Sequence, residues 1–314
     1  MEEFAPMDRP PLAMESIMIP VNGTDTLHLR RMRAREGGRP VLMFHGGVEN
    51  GRIFYSDSGR GFAPFLAHNG YDVFVADARG HGGSVPPAGR ASLYGQHEMI
   101  LDDIPAFSRA IRTIRGDAPQ LWVAHSYGGA LAASAIARDP YCRASAAALV
   151  YLGSRRRIAV RNPARFIQID FFWRFLARGV CAACGYLPMK DLHLFLGDDN
   201  ETRMFYRDSV EWLVSKTWRD TVDGFDYGEA IRGITLPPAL YVASEGDRCL
   251  GNPADVRRFM RECGDLKGAL MVLGKKHGSL RDYSHIEMLT HRDAVLDHFP
   301  RILAWLSGAA PAAI

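Results

Sequence analysis

From Pro40 onward the sequence settles into an alternation that leaves few folds open: short apolar runs, each followed by a Gly-bearing loop or a stretch with helical spacing. Residues 41–44, 71–76, 121–124, 146–152, 239–243 and 269–273 read as strands. Residues 63–69, 97–115, 127–138, 253–263 and 291–306 read as helices, and 97–115 carries Ile100, Ile104, Phe107, Ile111 and Ile114 at helical spacing. Gly70 stands where a helix terminator belongs. Strands that are apolar throughout and separated by helices demand a mostly parallel sheet covered on both faces, an α/β architecture. Upstream, residues 15–21 and 27–34 flank Asn22-Gly23-Thr24-Asp25, a hairpin signal, and Pro20 assigns the first of these strands to a sheet edge.

The alternation lapses over residues 155–232, which are rich in Arg, Phe and Trp and predict helices over 163–179, 191–195 and 201–218. The expected organisation is a loose lead-in over 1–14, an α/β core over 15–154 and 233–314, and a helical cap over 155–232, inserted after the sixth strand. The most apolar stretch, 166–187, contains Asp170, Arg174 and Arg178, too many charges for a membrane span. Its Phe166, Phe171, Phe172, Trp173 and Phe175 suit a helix packed on the core. They equally suit a lid over an acyl pocket, whose arginines give it peripheral contact with an anionic lipid surface.

Composition excludes several classes. A chain of 314 residues, 47% hydrophobic and 23% charged, is a globular protein and not a disordered one. A net charge of +3 is too small to imply nucleic-acid binding. Five cysteines, an odd number, do not make a disulfide framework. Cys181 and Cys184 lack two further zinc ligands at suitable spacing, His193 being the single neighbour, and read as small residues packed along a helix. The N-terminus opens Met1-Glu2-Glu3 with no basic stretch leading into an apolar one, so a cytoplasmic protein is expected.

The chemistry centres on Leu121-Trp122-Val123-Ala124-His125-Ser126-Tyr127-Gly128-Gly129-Ala130. A strand runs straight into a serine and a small-residue helix begins at once. Reversing the chain at one residue crowds the positions two before and two after it, and Ala124 and Gly128 are both small. Ser126 then projects from the C-terminal edge of the sheet over a helix N-terminus. A serine that merely caps the helix is the structural alternative. A hydroxyl needs a base, and His285, between the last strand and the last helix, is the first choice. His277 is its rival, but two adjacent lysines disfavour the cation a base must become. Asp247, in the loop after strand 239–243, is the acid that orients the base, with Glu245 as alternative.

The segment is similar to the G-x-S-x-G nucleophile elbow of α/β hydrolases, with Ala124 in place of the first glycine. Asp77-Ala78-Arg79-Gly80-His81-Gly82-Gly83-Ser84 resembles their D-x-R-G-H-G-x-S loop, which reads as structural and is held by Asp77 and Arg79. His45-Gly46-Gly47-Val48 looks like their His-Gly loop, and the loop bearing His285 matches the place of their histidine. The resemblance spans about residues 15–308 and is nearest to the lysophospholipase, monoglyceride-lipase and acid-lipase-like members. It implies an acyl-enzyme mechanism in the order Ser126, Asp247, His285, with backbone N–H groups of Tyr127 and Gly47, then Val48, forming the oxyanion hole. His45 would brace its loop.

The implied substrate is a small-molecule or lipid ester, with no metal or organic cofactor. A serine nucleophile argues against the dehalogenase and epoxide-hydrolase branches, and no phosphate-binding Gly-rich motif is present. A peptidase or amidase, an acyltransferase, and a ligand receptor with vestigial activity are the alternatives. Glu201, Glu211 and Glu229 are the cap acids available to a substrate amine.

Overall fold

Short apolar runs fold as expected into a sheet whose central strands are buried on both faces. The structure, a computed structural model, describes residues 11–192 and 197–309. Strands β1 (Ala13–Pro20) and β2 (Thr26–Arg33) form an antiparallel hairpin. They are followed by β3 (Pro40–Phe44), β4 (Asp72–Asp77), β5 (Gln120–His125) and β6 (Ala146–Leu152). A separate two-residue ribbon pairs β7 (Tyr186–Leu187) with β8 (Glu201–Thr202). Strands β9 (Ala239–Ser244) and β10 (Ala269–Leu273) complete the main sheet, whose order is β1-β2-β4-β3-β5-β6-β9-β10. From β4 to β10 every pairing is parallel. Strand β1, with Pro20, lies at the edge.

Alternate residues of each strand enter opposite cores. On β5, Trp122 and Ala124 join one apolar cluster and Leu121 and Val123 the other; on β3, Leu42 and Phe44 part from Val41 and Met43 in the same way. The helix Tyr127–Arg138 fills the first face, while Phe62–His68 and His298–Ala309 fill the second. The chain leaves β3 toward β4 on one side and reaches β5 on the other. The crevice beyond their C-terminal ends is therefore the switch point where open α/β sheets bind ligands.

Between β6 and β9 the chain departs from expectation in four places. The first helix runs beyond residue 179 to Cys184 and is π-wound from Phe166 to Leu176. Of residues 191–195, Asp191 and Leu192 form a turn and 193–195 lie outside the described residues. The helix expected over 201–218 is shorter at both ends: Glu201 and Thr202 belong to a strand, because the Thr202 hydroxyl accepts the Phe205 N–H at 3.0 Å and starts the helix Arg203–Val214 there, and the helix stops at Val214. An unexpected helix, Tyr227–Arg232, is capped by Asp226 and sinks Tyr227 and Ile231 into the core shared with Tyr127–Arg138.

At the chain's end the predicted helix 291–306 is broken into a short 3-10 turn, Arg292–Val295, and the helix His298–Ala309. The break frees Asp297 to accept the Leu280 N–H and the Tyr283 hydroxyl, both at 2.8 Å. Residues 1–10 of the lead-in lie outside the described residues, and Ala13 is already in β1. Among the described residues no helix is long and apolar enough to cross a membrane.

Arg156 ties this inserted segment to the core. Only 1% exposed, it forks onto both Glu262 oxygens at 2.7 and 3.1 Å and donates to the carbonyls of Trp212, Ser215 and Thr217. Removing one member of such a buried network leaves the others without partners, at about 3–5 kcal/mol. Arg156→Ala is expected to lose that much stability in urea unfolding, and Glu262→Gln distinctly less.

Candidate active site

Strand β5 ends at His125, and the next residue turns the chain. Ser126 has φ +54°, and its N–H donates to the Leu152 carbonyl of β6 at 2.9 Å before the helix Tyr127–Arg138 begins. Among the described residues, Ser126 and Val48 are the two non-glycine positions with positive φ. The crowding expected from the sequence is present: a Cβ on Gly128 would stand 2.2 Å from the His45 carbonyl oxygen, and one on Gly46 would stand 2.8 Å from the Ser126 Cβ. Ala124, 2% exposed, fits without a glycine.

Three loops at this edge bring together the three side chains singled out from the sequence. Ser126 Oγ–H donates to His285 Nε2 at 2.8 Å, and His285 Nδ1–H donates to Asp247 Oδ2 at 2.6 Å. The other Asp247 oxygen accepts the Cys249 N–H at 3.2 Å. All three are buried. Burial pulls the His285 imidazole below its ordinary range, against the opposing pull of Asp247, so the ring is neutral and able to take a proton. Burial opposes the Asp247 charge, but His285 and the neighbouring N–H groups outweigh it and hold the carboxyl below its ordinary value. The rivals pair elsewhere: His277 Nε2 lies 3.1 Å from Glu245 Oε1, which also binds Lys276 at 2.9 Å.

A second acid and imidazole stand against the first. His125 Nδ1–H donates to Glu49 Oε2 at 2.8 Å, its Nε2 faces the His285 carbonyl at 3.2 Å, and the two imidazoles lie 4.6 Å apart. Glu49 also accepts the Gly46 N–H at 2.8 Å. Burial disfavours its charge, yet His125, His285 and that N–H carry its pKa down to about 2. Glu49, His125 and His285 offer ligand atoms within 4.8 Å of one another, but His125 already engages Glu49 and His285 engages Ser126. A second such group, His97, Asp220 and Asp223, is occupied by the Arg138 guanidinium, which pairs with both aspartates.

The loop after β3 lies against the nucleophile at Gly46, and Gly47 and Val48 follow. His45 braces it, donating from Nδ1 to the Gly46 carbonyl at 2.7 Å and accepting the Ala78 N–H at 3.0 Å. Val48 has φ +55°, a strained state for a β-branched residue. Its N–H donates to Glu201 Oε1 at 2.8 Å, and its carbonyl accepts from Asp198 at 2.8 Å and Asp199 at 3.3 Å. The Val48 N–H is thus engaged, whereas Gly47 and Tyr127 show no hydrogen bond from their N–H groups among the described residues. Asp199 also accepts from Asn50 and from Gly82 N–H, and Glu201 lies 3.2 Å from His81 Nε2, an ion-pair contact without hydrogen-bond alignment.

Neighbouring loops support this arrangement. Asp77 accepts from His28, Gly51 and Gly83, and Arg79 pairs with Asp103 and Asp25. Cys181 packs with Leu187, Met189 and Tyr206, while His193 lies outside the described residues. Sequence reasoning missed Glu49, His125, Asp199 and Glu201 in these roles. Glu49 and His125 carried a signal, being polar residues directly beside motifs already singled out: Glu49 follows the loop 45–48 and His125 precedes Ser126. Glu201 carried none, since its partner is 153 positions away.

A family model described as alpha/beta hydrolase fold matches residues 39–180. No curated protein matches the chain in sequence. Among solved structures, a soluble variant of monoglyceride lipase from Saccharomyces cerevisiae, in complex with a substrate analogue, is similar at TM-score 0.68 and 17% identity, covering 98% of this chain and 99% of that one. An enol-lactonase from Burkholderia xenovorans is similar at TM-score 0.58 and 17% identity, over 93% of this chain and 100% of that one. A Pyrococcus furiosus esterase is similar at 0.61 and 15%, over 99% and 96%. The chain has the α/β-hydrolase fold: a mostly parallel eight-stranded sheet flanked by helices.

The His81–Glu201 contact makes stability depend on pH. Burial works against the imidazolium, but Glu201, with Asp199 and the Arg79 carbonyl, lifts His81 from 6.5 to about 9. A folded-state pKa raised above the unfolded one stabilises fully below pH 6.5, and that stabilisation is lost as pH climbs through about 9. The gap bounds the effect at about 3 kcal/mol. Denaturant unfolding of the parent protein is expected to weaken between these limits, and His81→Gln is expected to abolish that part of the decline.

Proposed function

We propose that the chain is a serine hydrolase of carboxylic esters with an apolar acyl portion. The observation that carries this reading is the unbroken relay from the Asp247 carboxylate through His285 to the Ser126 hydroxyl. His285 takes the proton as Ser126 attacks the ester carbonyl, and Asp247 stabilises the resulting imidazolium. The N–H groups of Tyr127 and Gly47 receive the oxyanion at the helix N-terminus and the loop after β3. His285 then protonates the departing alcohol, and water, activated by the same imidazole, releases the acid.

Buried aromatic side chains beside the nucleophile and the loop after β3 support an apolar acyl group. Phe205 packs edge-on to Tyr127 at 5.6 Å and lies 3.3 Å from where a Gly47 side chain would begin, and Trp212 lies 6.0 Å from Tyr127. Phe166, Ile167, Phe171, Phe172, Phe175 and Leu176 are exposed on the π-wound helix, which supports contact between the inserted segment and an acyl-lipid surface. The amine-binding requirement of a peptidase has less support: Glu201 Oε1 is engaged by Val48 and His81, which leaves Oε2 alone without a partner among the described residues, and Glu211 and Glu229 are exposed.

A fluorophosphonate probe is expected to label the protein, with Ser126→Ala abolishing labelling and lowering kcat on p-nitrophenyl butyrate at least about a thousandfold. Retained turnover in that variant, measured alongside its thermal unfolding, overturns the reading. The pH profile is a second check. Because burial lowers His285, the acid limb of kcat/KM is expected to have its midpoint below 6.5, the ordinary histidine value.

A further inference from the structure

Three consecutive arginines leave the C-terminal end of β6, and they meet different fates. Arg156 is the structural clamp already described, with every guanidinium nitrogen bonded to a carboxylate or carbonyl. Arg155, 6% exposed, is buried almost as deeply, yet its Nε and Nη1 have no hydrogen-bond partner among the described residues. The carboxylates acting on it at longer range are already committed. Asp247 serves His285 and the Cys249 N–H; Asp255 accepts the Ala159 and Val160 N–H groups and pairs with Arg258. A buried guanidinium without a partner is costly, and proteins keep one where a ligand supplies the missing charge.

Its location indicates which ligand. β6 lies between β5, which delivers Ser126, and β9, which leads to Asp247. Two residues before Arg155, a Cβ on Gly153 would stand 3.0 Å from the His285 ring, so this loop approaches the same crevice as the relay. The Arg155 guanidinium lies 5.9 Å from the ring of Tyr127, the residue next to the nucleophile. Burial also drags Arg155 below its ordinary range, and the longer-range pull of Asp247 and Asp255 does not offset it. A guanidinium fork matches a carboxylate. With Asp247 and Asp255 in the vicinity, one positive charge suits a monoanion better than a phosphate dianion.

We propose that Arg155 anchors a carboxylate carried by the ester substrate, a few bonds from the carbonyl that Ser126 attacks. The substrate class is then a half-ester of a short dicarboxylic acid, or an ester whose alcohol portion bears the carboxylate. This rests on the ester-hydrolase reading above: with the carboxylate on the alcohol it leaves the apolar acyl portion in place, and with the carboxylate on the acyl chain it replaces that portion by an anionic one.

The test compares matched pairs by kcat/KM. On the acyl side these are monoethyl succinate, glutarate and adipate against ethyl butanoate, pentanoate and hexanoate; on the alcohol side, O-acetylglycolate against ethyl acetate. The parent protein is expected to favour the anionic member of at least one pair tenfold or more, and the favoured pair identifies the side. Arg155→Met is expected to reduce that ratio at least tenfold and Arg155→Lys to restore part of it. The Tm of Arg155→Met is expected to equal or exceed that of the parent, since an unpaired buried charge has been removed.

A preference for the neutral esters, a ratio unchanged in Arg155→Met, or destabilisation like that of Arg156→Ala overturns the proposal. Should the parent turn over none of the esters, calorimetry with glutarate separates the two readings. Binding that is lost in Arg155→Met upholds the anchor while the hydrolase reading falls, and absence of binding by the parent overturns the anchor as well.

Discussion

The site depends on a single turn of left-handed backbone. At φ +54° Ser126 is held where a non-glycine residue resists being, and the strain is absorbed by regular structure on either side: a central parallel strand before it and a fully buried helix after it. That turn lifts the hydroxyl off the sheet edge, puts the helix N-terminus beneath it and brings Gly128 against the His45 carbonyl. The histidine and aspartate need only arrive at the same edge. They do so from the loops after β10 and β9, because parallel strands deliver all their C-terminal loops to one side.

A second strained residue mirrors the first. Val48, at φ +55°, sits in the loop facing Ser126, and the restraint on it is external. The segment from Asp198 to Thr202 takes both the N–H and the carbonyl of Val48, while Asp199 grips Asn50 and Gly82 and the Thr202 hydroxyl reaches the Tyr94 carbonyl at 2.6 Å. The segment between β6 and β9 therefore forms part of the framework that holds the loops beside Ser126. The Glu49–His125 pair plays a comparable part, fixing Gly46 on one side and packing against the tilted His285 ring on the other.

The sheet was legible because its signal is local and redundant: apolar runs buried on both faces, bounded by glycines, placed β3, β5, β6 and β10 to within a residue. The positions of Ser126, His285 and Asp247 were legible for a related reason, since each sits in a loop whose chemistry is written in adjacent residues. Between β6 and β9 the sequence is less informative. There helices begin where side chains cap them, as Thr202 and Asp226 do, and such caps are weak marks in a sequence rich in polar turns. The role of Glu201 and the lack of partners around Arg155 are tertiary facts. Both arginines of the pair Arg155-Arg156 look alike in the sequence, and only the packed structure distinguishes the satisfied guanidinium from the unsatisfied one.

The grip of Glu201 on Val48 also limits how the entrance can work. Were the ribbon of β7 and β8 to swing away to admit a molecule, the valine would be released from its twisted state and, on the ester-hydrolase reading proposed above, the neighbouring Gly47 amide would lose its place in the oxyanion hole. Entry and assembly of the anion cradle would then be mutually exclusive events. A doorway that leaves the cradle intact has to hinge on the other half of the insert, the phenylalanine-bearing π-wound helix, whose apolar side chains are mostly exposed.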